Sequence, residues 1–135
     1  QLAQAIIARA RPPPPLPICA HTPPLVAAMD YKALAAGPKK TLAAPGDDPE
    51  AKVKKHVPVL EKVDGKLKIS VGHGMAEDHW IQAIWVTDEA GEVLKSVELT
   101  HTDTPTLEMD VPAGKIVAYE ICNLHGVYAT EPSAV

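Results

Sequence analysis

The sequence predicts an all-β fold: an immunoglobulin-like antiparallel β-sandwich of about seven strands over residues 53–131, preceded by an extended arm over residues 1–52. Three observations lead to this prediction. Short apolar runs follow one another from residue 53 onward without a helical period, and turn signals rich in glycine, proline or aspartate separate them. The arm holds ten of the 14 prolines. We expect residues 132–135 to be a short tail.

The arm is predicted to be Pro/Ala-rich chain with little regular structure. The pattern favours a short helix over residues 1–11, polyproline II over residues 12–15 and a weak helical turn over residues 25–36. Large apolar side chains are too few here for a separate core. The arm is therefore either a tether or a segment that binds a protein partner.

The first two strands are predicted to form a hairpin. Residues 57–63 and 66–71 flank Asp64-Gly65, a pair that favours a two-residue type I′ turn because both positions need a positive φ. Lysine or serine alternates with leucine, isoleucine and valine along residues 66–71. We therefore expect one face of this strand to be buried and the other to be solvated.

The next segment, residues 80–86, is an almost continuous apolar run, which favours a central strand covered on both faces. Further strands are predicted at residues 93–99, 107–111 and 116–121, with turns at 89–91 and 112–114. Such short connections are typical of antiparallel neighbours.

Composition restricts the function classes. The 135 residues and 46% apolar content suit one domain with a hydrophobic core. A net charge of −4 and a pI near 5.8 exclude nucleic acid as the main partner, because no basic stripe is present to neutralise phosphates. No apolar run is long enough for a transmembrane segment. The compartment stays open, with the Gln1 start and the proline-rich lead favouring the periplasm over the cytoplasm.

A candidate metal site is built from four histidines and one cysteine. Cys122 and His125 form a Cys-x-x-His pair at the end of the last predicted strand, and His56, His73 and His79 precede them in the chain. A soft thiolate with imidazoles suits iron or another late first-row metal better than magnesium or calcium, which prefer oxygen. Structural zinc is disfavoured because it takes four ligands in a tetrahedron and five are offered.

The second cysteine, Cys19, lies in the arm beside His21 and has no further ligand candidates nearby, so neither residue is assigned a role. With two cysteines, the chain can form at most one intrachain disulfide. The fold must therefore depend on burial and on the metal.

Three stretches that carry the candidate ligands resemble the iron-binding domain of the superoxide reductases, the neelaredoxin and desulfoferrodoxin family. They are Lys55-His56-Val57-Pro58-Val59, then Val71-Gly72-His73-Gly74-Met75 followed by His79-Trp80-Ile81, and Cys122-Asn123-Leu124-His125-Gly126. The resemblance covers roughly residues 53–130. It implies a mononuclear Fe²⁺/Fe³⁺ centre in which the four histidines form an equatorial square, Cys122 is the axial ligand, and the position opposite the sulfur is open.

The resemblance also implies an activity, the one-electron reduction of superoxide to hydrogen peroxide, with an external electron donor that returns the iron to the ferrous state. Lys55 matches the family lysine that attracts the anion to the open position, and it is the predicted catalytic residue. A second interpretation stays open. The chain would then be an accessory or structural subunit of a larger, in one version membrane-bound, electron-transfer complex, with the sandwich as docking module and a vestigial or structural metal site.

The sequence departs from the family beside this site. Lys54 stands where the family usually has the glutamate that supplies a carboxylate to the sixth position, so carboxylate ligation from there is excluded. Glu50 and Glu61 are the nearest replacements, and they would reach only if their loops folded back. Gly74 stands where a proline is usual. The cysteine count also excludes the extra four-cysteine iron centre of some members.

Overall fold

The computed structural model describes residues 29–135, so the predicted helix over residues 1–11, the polyproline segment, Cys19 and His21 lie outside the described residues. The described chain contains α1 (Tyr31–Ala36), α2 (Glu50–His56), β1 (Val59–Val63), β2 (Lys66–Ser70), β3 (Ile81–Asp88), β4 (Val93–Glu98), β5 (Thr106–Asp110), β6 (Lys115–Cys122), β7 (Gly126–Ala129) and β8 (Ser133–Ala134). Neither helix is long and apolar enough to cross a membrane.

The strands form two antiparallel sheets, which confirms the predicted all-β sandwich. The smaller sheet has the order β1-β2-β5, and the larger has the order β4-β3-β6-β7, with β8 also paired to β6. The core between the sheets contains Leu67 and Ile69 from the smaller sheet and Ile84, Val86 and Ile116 from the larger one. The immunoglobulin-like strand arrangement stays a prediction.

The predicted hairpin is present, and its turn has the expected backbone. Asp64 and Gly65 have φ angles of 51° and 77°, as a type I′ turn requires. Val63 pairs with Lys66 directly across the turn, which fixes the register of β1 against β2. That register places Leu67 and Ile69 in the core and leaves most of β1 exposed.

Strand β3 is the central strand of the larger sheet, as its apolar run predicted. It pairs with β4 on one side and β6 on the other, and the five residues from Ala83 to Thr87 are all buried. The face of β3 that points away from the core is covered by part of the predicted arm. Tyr31 and Leu34 pack there, and the Tyr31 ring centroid lies 5.1 Å from that of the fully buried Trp85.

Residues 29–52 contain more regular structure than the predicted arm, although α1 lies within residues 25–36, where a weak helical turn was predicted. They contain α1, whose first turn is capped where Asp30 Oδ1 accepts a hydrogen bond from Ala33 N at 3.1 Å. Helix α2 begins at Glu50, so the predicted boundary after residue 52 falls inside a helix. The backbone of Lys40 also pairs with β7, donating to Val127 O at 3.1 Å and accepting from Ala129 N at 2.9 Å. Packing on the larger sheet and backbone hydrogen bonds to β7 hold this segment in place.

Candidate metal centre

The structure brings all five predicted ligands together. Their ligand atoms all lie within 4.8 Å of one another, and the residues are His56, His73, His79, Cys122 and His125. His56 and His125, the first and last of these residues, are 69 residues apart in the sequence. The fold brings all five residues into a cluster the size of one coordination sphere.

Different elements position the ligands. Cys122 is the last residue of β6, and His125 lies in the turn before β7, whereas His73 and His79 lie in the connection between β2 and β3. His56 precedes β1 through Val57-Pro58, and it is the last residue of α2, a helix that the sequence analysis did not predict. The helix ends there because Val57 precedes Pro58 and takes the extended conformation that this position favours, with ψ at 125°.

Several ligand atoms approach one another as closely as hydrogen-bonded pairs. His73 Nε2 lies 3.0 Å from His79 Nε2, which lies 3.2 Å from His125 Nδ1. Cys122 Sγ lies 3.7 Å from the same His125 nitrogen. Nitrogen and sulfur atoms that converge in this way can each donate a lone pair to one cation placed between them. The donor set therefore fits a bound metal ion with nitrogen and sulfur ligands.

Burial favours the metal-binding, neutral form of His56, His73 and His125. Burial, together with the neighbouring His73 and His125, lowers the pKa of His56 to about 4. Burial also lowers the pKa values of His73 and His125. Neutral imidazole offers a free lone pair near neutral pH. Burial raises the pKa of the Cys122 thiol, so a bound cation has to stabilise the thiolate.

Asn123 connects two of the ligand-bearing segments. Its side-chain oxygen accepts a hydrogen bond from Trp80 N at 2.9 Å, and its amide nitrogen donates to Asp78 O at 3.0 Å. The turn that carries Cys122 and His125 is thereby fastened to the segment around His79. The sequence analysis did not assign this role, although Asn123 lies inside the Cys-x-x-His pair.

Glu120 is the second residue that the sequence analysis missed. It is fully buried, and its Oε1 lies 3.3 Å from Nδ1 of the candidate ligand His56. Burial raises the pKa of its carboxyl to about 9. A sequence signal existed: Glu120 is two residues before Cys122 on a strand, so it shares the inward face with that ligand. With Nδ1 facing Glu120, Nε2 of His56 would be the nitrogen available to hold a metal.

One side of the cluster opens into a cavity of about 720 Å³ lined by His56, His73, His79, His125, Lys52, Lys55, Pro49, Ala51, Gly74, Met75 and Ala76. Lys55 is exposed and lines this cavity, and its predicted role in attracting an anion stays a prediction. Lys54 is not among the lining residues, and its Nζ lies 2.6 Å from Glu50 Oε1. No carboxylate side chain of the described chain lines the cavity, so neither Glu50 nor Glu61 replaces the missing family carboxylate.

Comparison with known proteins places the site in a family context. The family model for desulfoferrodoxin matches residues 48–131. The desulfoferrodoxin of Nitratidesulfovibrio vulgaris is 42% identical over 80 residues, which are 57% of this chain and 62% of the relative. That of Desulfarculus baarsii is 39% identical over 85 residues, which are 61% of this chain and 66% of the relative. The chain thus spans a little less than two thirds of the length of these relatives.

Solved structures agree with the fold. The superoxide reductase from Treponema pallidum superposes with a TM-score of 0.50 at 31% identity, covering 62% of this chain and 69% of that one. A variant of the superoxide reductase (neelaredoxin) from Ignicoccus hospitalis superposes with a TM-score of 0.57 at 20% identity, covering 72% of this chain and 94% of that one. At the latter identity the likeness shows the fold alone.

Proposed function

The chain belongs to the desulfoferrodoxin family, and from that premise we propose that it is a mononuclear non-haem iron superoxide reductase that converts superoxide to hydrogen peroxide. The observation that carries this proposal is the convergence of four imidazoles and one thiol, with all ligand atoms within 4.8 Å of one another. The superoxide reductase from Treponema pallidum, which shares the fold at 31% identity, is the named protein that supports the activity.

The ligand set suits iron because it combines one soft thiolate with neutral imidazoles. Bound iron would supply one electron to superoxide, and an external donor would supply the electron that replaces it. The overall reaction adds this electron and two protons to superoxide and yields hydrogen peroxide. The residues of the chain would hold the metal, favour the neutral form of His56, His73 and His125 through burial, and leave the cavity side open for the anion.

Lys55 provides the positive charge at the entrance to the site. We expect Lys55→Ala to lower the second-order rate constant for superoxide about tenfold, at the low end of what a charged cleft contributes to capture of an anion. The decrease should shrink as ionic strength rises, because salt screens exposed charges. Pulsed superoxide with stopped-flow detection measures both effects.

Lys54→Ala is the matched control for this variant. It removes the same charge from the adjacent position of α2, but Lys54 does not line the cavity and pairs with Glu50. If both variants slow the reaction equally, the effect comes from net charge, and the role of Lys55 is wrong.

Metal content and spectrum test the proposed activity together. We expect about one iron per chain and a visible thiolate-to-iron charge-transfer band in the oxidised protein. With an excess of reductant, each superoxide consumed should give one hydrogen peroxide, whereas dismutation gives one for every two. Isolation with zinc, a colourless oxidised protein or the dismutation ratio would each contradict the proposal.

The alternative interpretation as an accessory subunit gains no support from the comparisons. Within residues 29–36, apolar side chains of the arm pack on the chain's own sheet beside Trp85. A protein partner for residues 1–52 and a periplasmic location both stay predictions, and limited proteolysis of the isolated protein tests the first. Resistance of the arm to cleavage would argue against a partner.

A further inference from the structure

Tyr128 connects the helix that carries His56 with the hairpin that carries Cys122 and His125. Its ring stacks on the His56 ring with centroids 4.4 Å apart and planes 14° from parallel. Tyr128 is fully buried and also packs with Val53 and Val57 of the α2 region. It lies on β7, which pairs with β6.

The hydroxyl of Tyr128 is held by a hydrogen bond, in addition to the packing of its ring. It donates a hydrogen bond to Asp48 Oδ2 at 2.6 Å. The same carboxylate accepts from Lys40 Nζ at 2.7 Å and from Lys52 Nζ at 3.0 Å. The Asp48 side chain is only 12% exposed, whereas those of Lys40 and Lys52 are 35% and 32% exposed. Hydrogen bonds of this kind to an ionised carboxylate are shorter and stronger than neutral ones.

Helix α2 needs such an anchor. It has seven residues, and a helix this short is not stable without tertiary contacts. His56 is its last residue, so any rocking of the helix moves the imidazole relative to the ligands on the β6–β7 hairpin. Asp48 lies just before the helix starts and is held by Tyr128 from that hairpin.

We propose that Tyr128 and Asp48 form a positioning pair that fixes the His56 imidazole against the other ligands of the metal centre. Stacking sets the plane of the ring, and the hydroxyl–carboxylate bond sets the distance between α2 and β7. The inference deepens the proposed function, on which it rests for the presence of a metal, but it concerns metal geometry and not the reaction with superoxide.

Cobalt(II) titration of the metal-free protein tests the pair without using activity. Tyr128→Phe keeps the stacked ring and removes only the hydroxyl. We expect about tenfold weaker cobalt binding. This is the low end of the roughly 10–100-fold loss of metal affinity that follows when a residue that contacts and orients a metal ligand is removed. We also expect the ligand-field and thiolate bands to shift, which a change in stability alone does not cause.

Asp48→Asn removes the carboxylate charge and should give a similar loss and a similar spectral shift. Because the two groups act through one hydrogen bond, the double variant should lose much less than the sum of the single variants. If Tyr128→Phe folds poorly, Asp48→Asn carries the test by itself, since it leaves the buried ring intact.

Tyr31→Phe is the matched control. Tyr31 also stacks on an aromatic ring, that of Trp85, and its hydroxyl approaches Glu98 Oε1 at 3.5 Å, but it lies on the outward face of the larger sheet. It should bind cobalt as the unmodified protein does. Unchanged affinity and unchanged bands in Tyr128→Phe and Asp48→Asn would overturn the proposal. Tight cobalt binding without superoxide reduction would overturn the proposed function and leave the positioning pair intact.

Discussion

Replacing Cys122 by serine should abolish the visible band of the oxidised protein and slow the consumption of superoxide by more than about a hundredfold. Mutation of a residue that only hydrogen-bonds to a metal ligand already lowers metal affinity or activity roughly 10–100-fold, so loss of a ligand should have a larger effect. Cys122 is buried, with 2% of its surface exposed. Serine fits the same space because its side chain is slightly smaller than that of cysteine. The hydroxyl, however, is a hard donor that stays protonated at neutral pH, so the soft anionic ligand is lost.

The charge-transfer band makes this prediction specific. A band from sulfur to iron requires the sulfur, so its disappearance in Cys122→Ser identifies the ligand directly. Cys19→Ser is the control, because it removes the other cysteine of the chain, and it should keep both the band and the rate. A band that survives in Cys122→Ser would show that the thiol of Cys122 is not bound to the metal.

The sequence was most informative where local chemistry decides the structure. Asp64-Gly65 specified the hairpin because few other pairs accept two positive φ angles. The continuous apolar run specified the central strand β3. The five candidate ligands were found because histidine and cysteine supply nitrogen and sulfur donors in a pattern similar to that of a known family, and their residue types are visible without the fold.

The sequence was least informative where contacts between segments that are distant in the chain determine the structure. Tyr128 and Asp48 are 80 residues apart, and neither has a local pattern that indicates the hydrogen bond between them. Helix α2 has seven residues, and the proline-rich surroundings favoured an arm over a helix. Its stability comes from the burial of Val53 and Val57 beside Tyr128, which only the packed structure reveals.

Glu120 gives the second prediction with a large effect. The folded protein raises the pKa of this carboxyl to about 9, whereas the unfolded chain has an ordinary value near 4.3. Between these values the folded state keeps a proton that the unfolded state releases. Stability contributed by Glu120 is therefore complete below about pH 4 and falls as pH rises, by at most about 1.4 kcal/mol per pH unit.

His56 has the opposite sign and must be separated from this effect. Its pKa is lowered to about 4 in the folded state, so protonation favours the unfolded chain and its contribution to stability grows until about pH 6.5. Above that value His56 is neutral in both states. The comparison therefore belongs between about pH 6.5 and pH 8.5, where the Glu120 carboxyl is protonated in the folded state and ionised in the unfolded state.

In the metal-free protein we expect the free energy of unfolding to fall by about 3 kcal/mol across this interval, as two pH units at the maximal slope give. Glu120→Gln should remove most of that fall, because the amide has the same shape and does not ionise. Urea unfolding at both pH values measures the difference, and Glu61→Gln on the exposed strand β1 is the control. Equal pH slopes in the unmodified protein and Glu120→Gln would contradict the raised pKa.

Metal binding should weaken this pH dependence, which links the carboxyl to the site. With Nε2 of His56 on the metal, Nδ1 carries a proton and faces Glu120 Oε1 at 3.3 Å, so the ionised carboxylate gains a donor that the metal-free imidazole need not provide. The nearby cation favours the same charged form. We therefore expect the decrease in the free energy of unfolding between about pH 6.5 and pH 8.5 to be smaller in the iron-loaded protein than in the metal-free protein. An equal fall in both forms would mean that Glu120 does not sense the metal through His56.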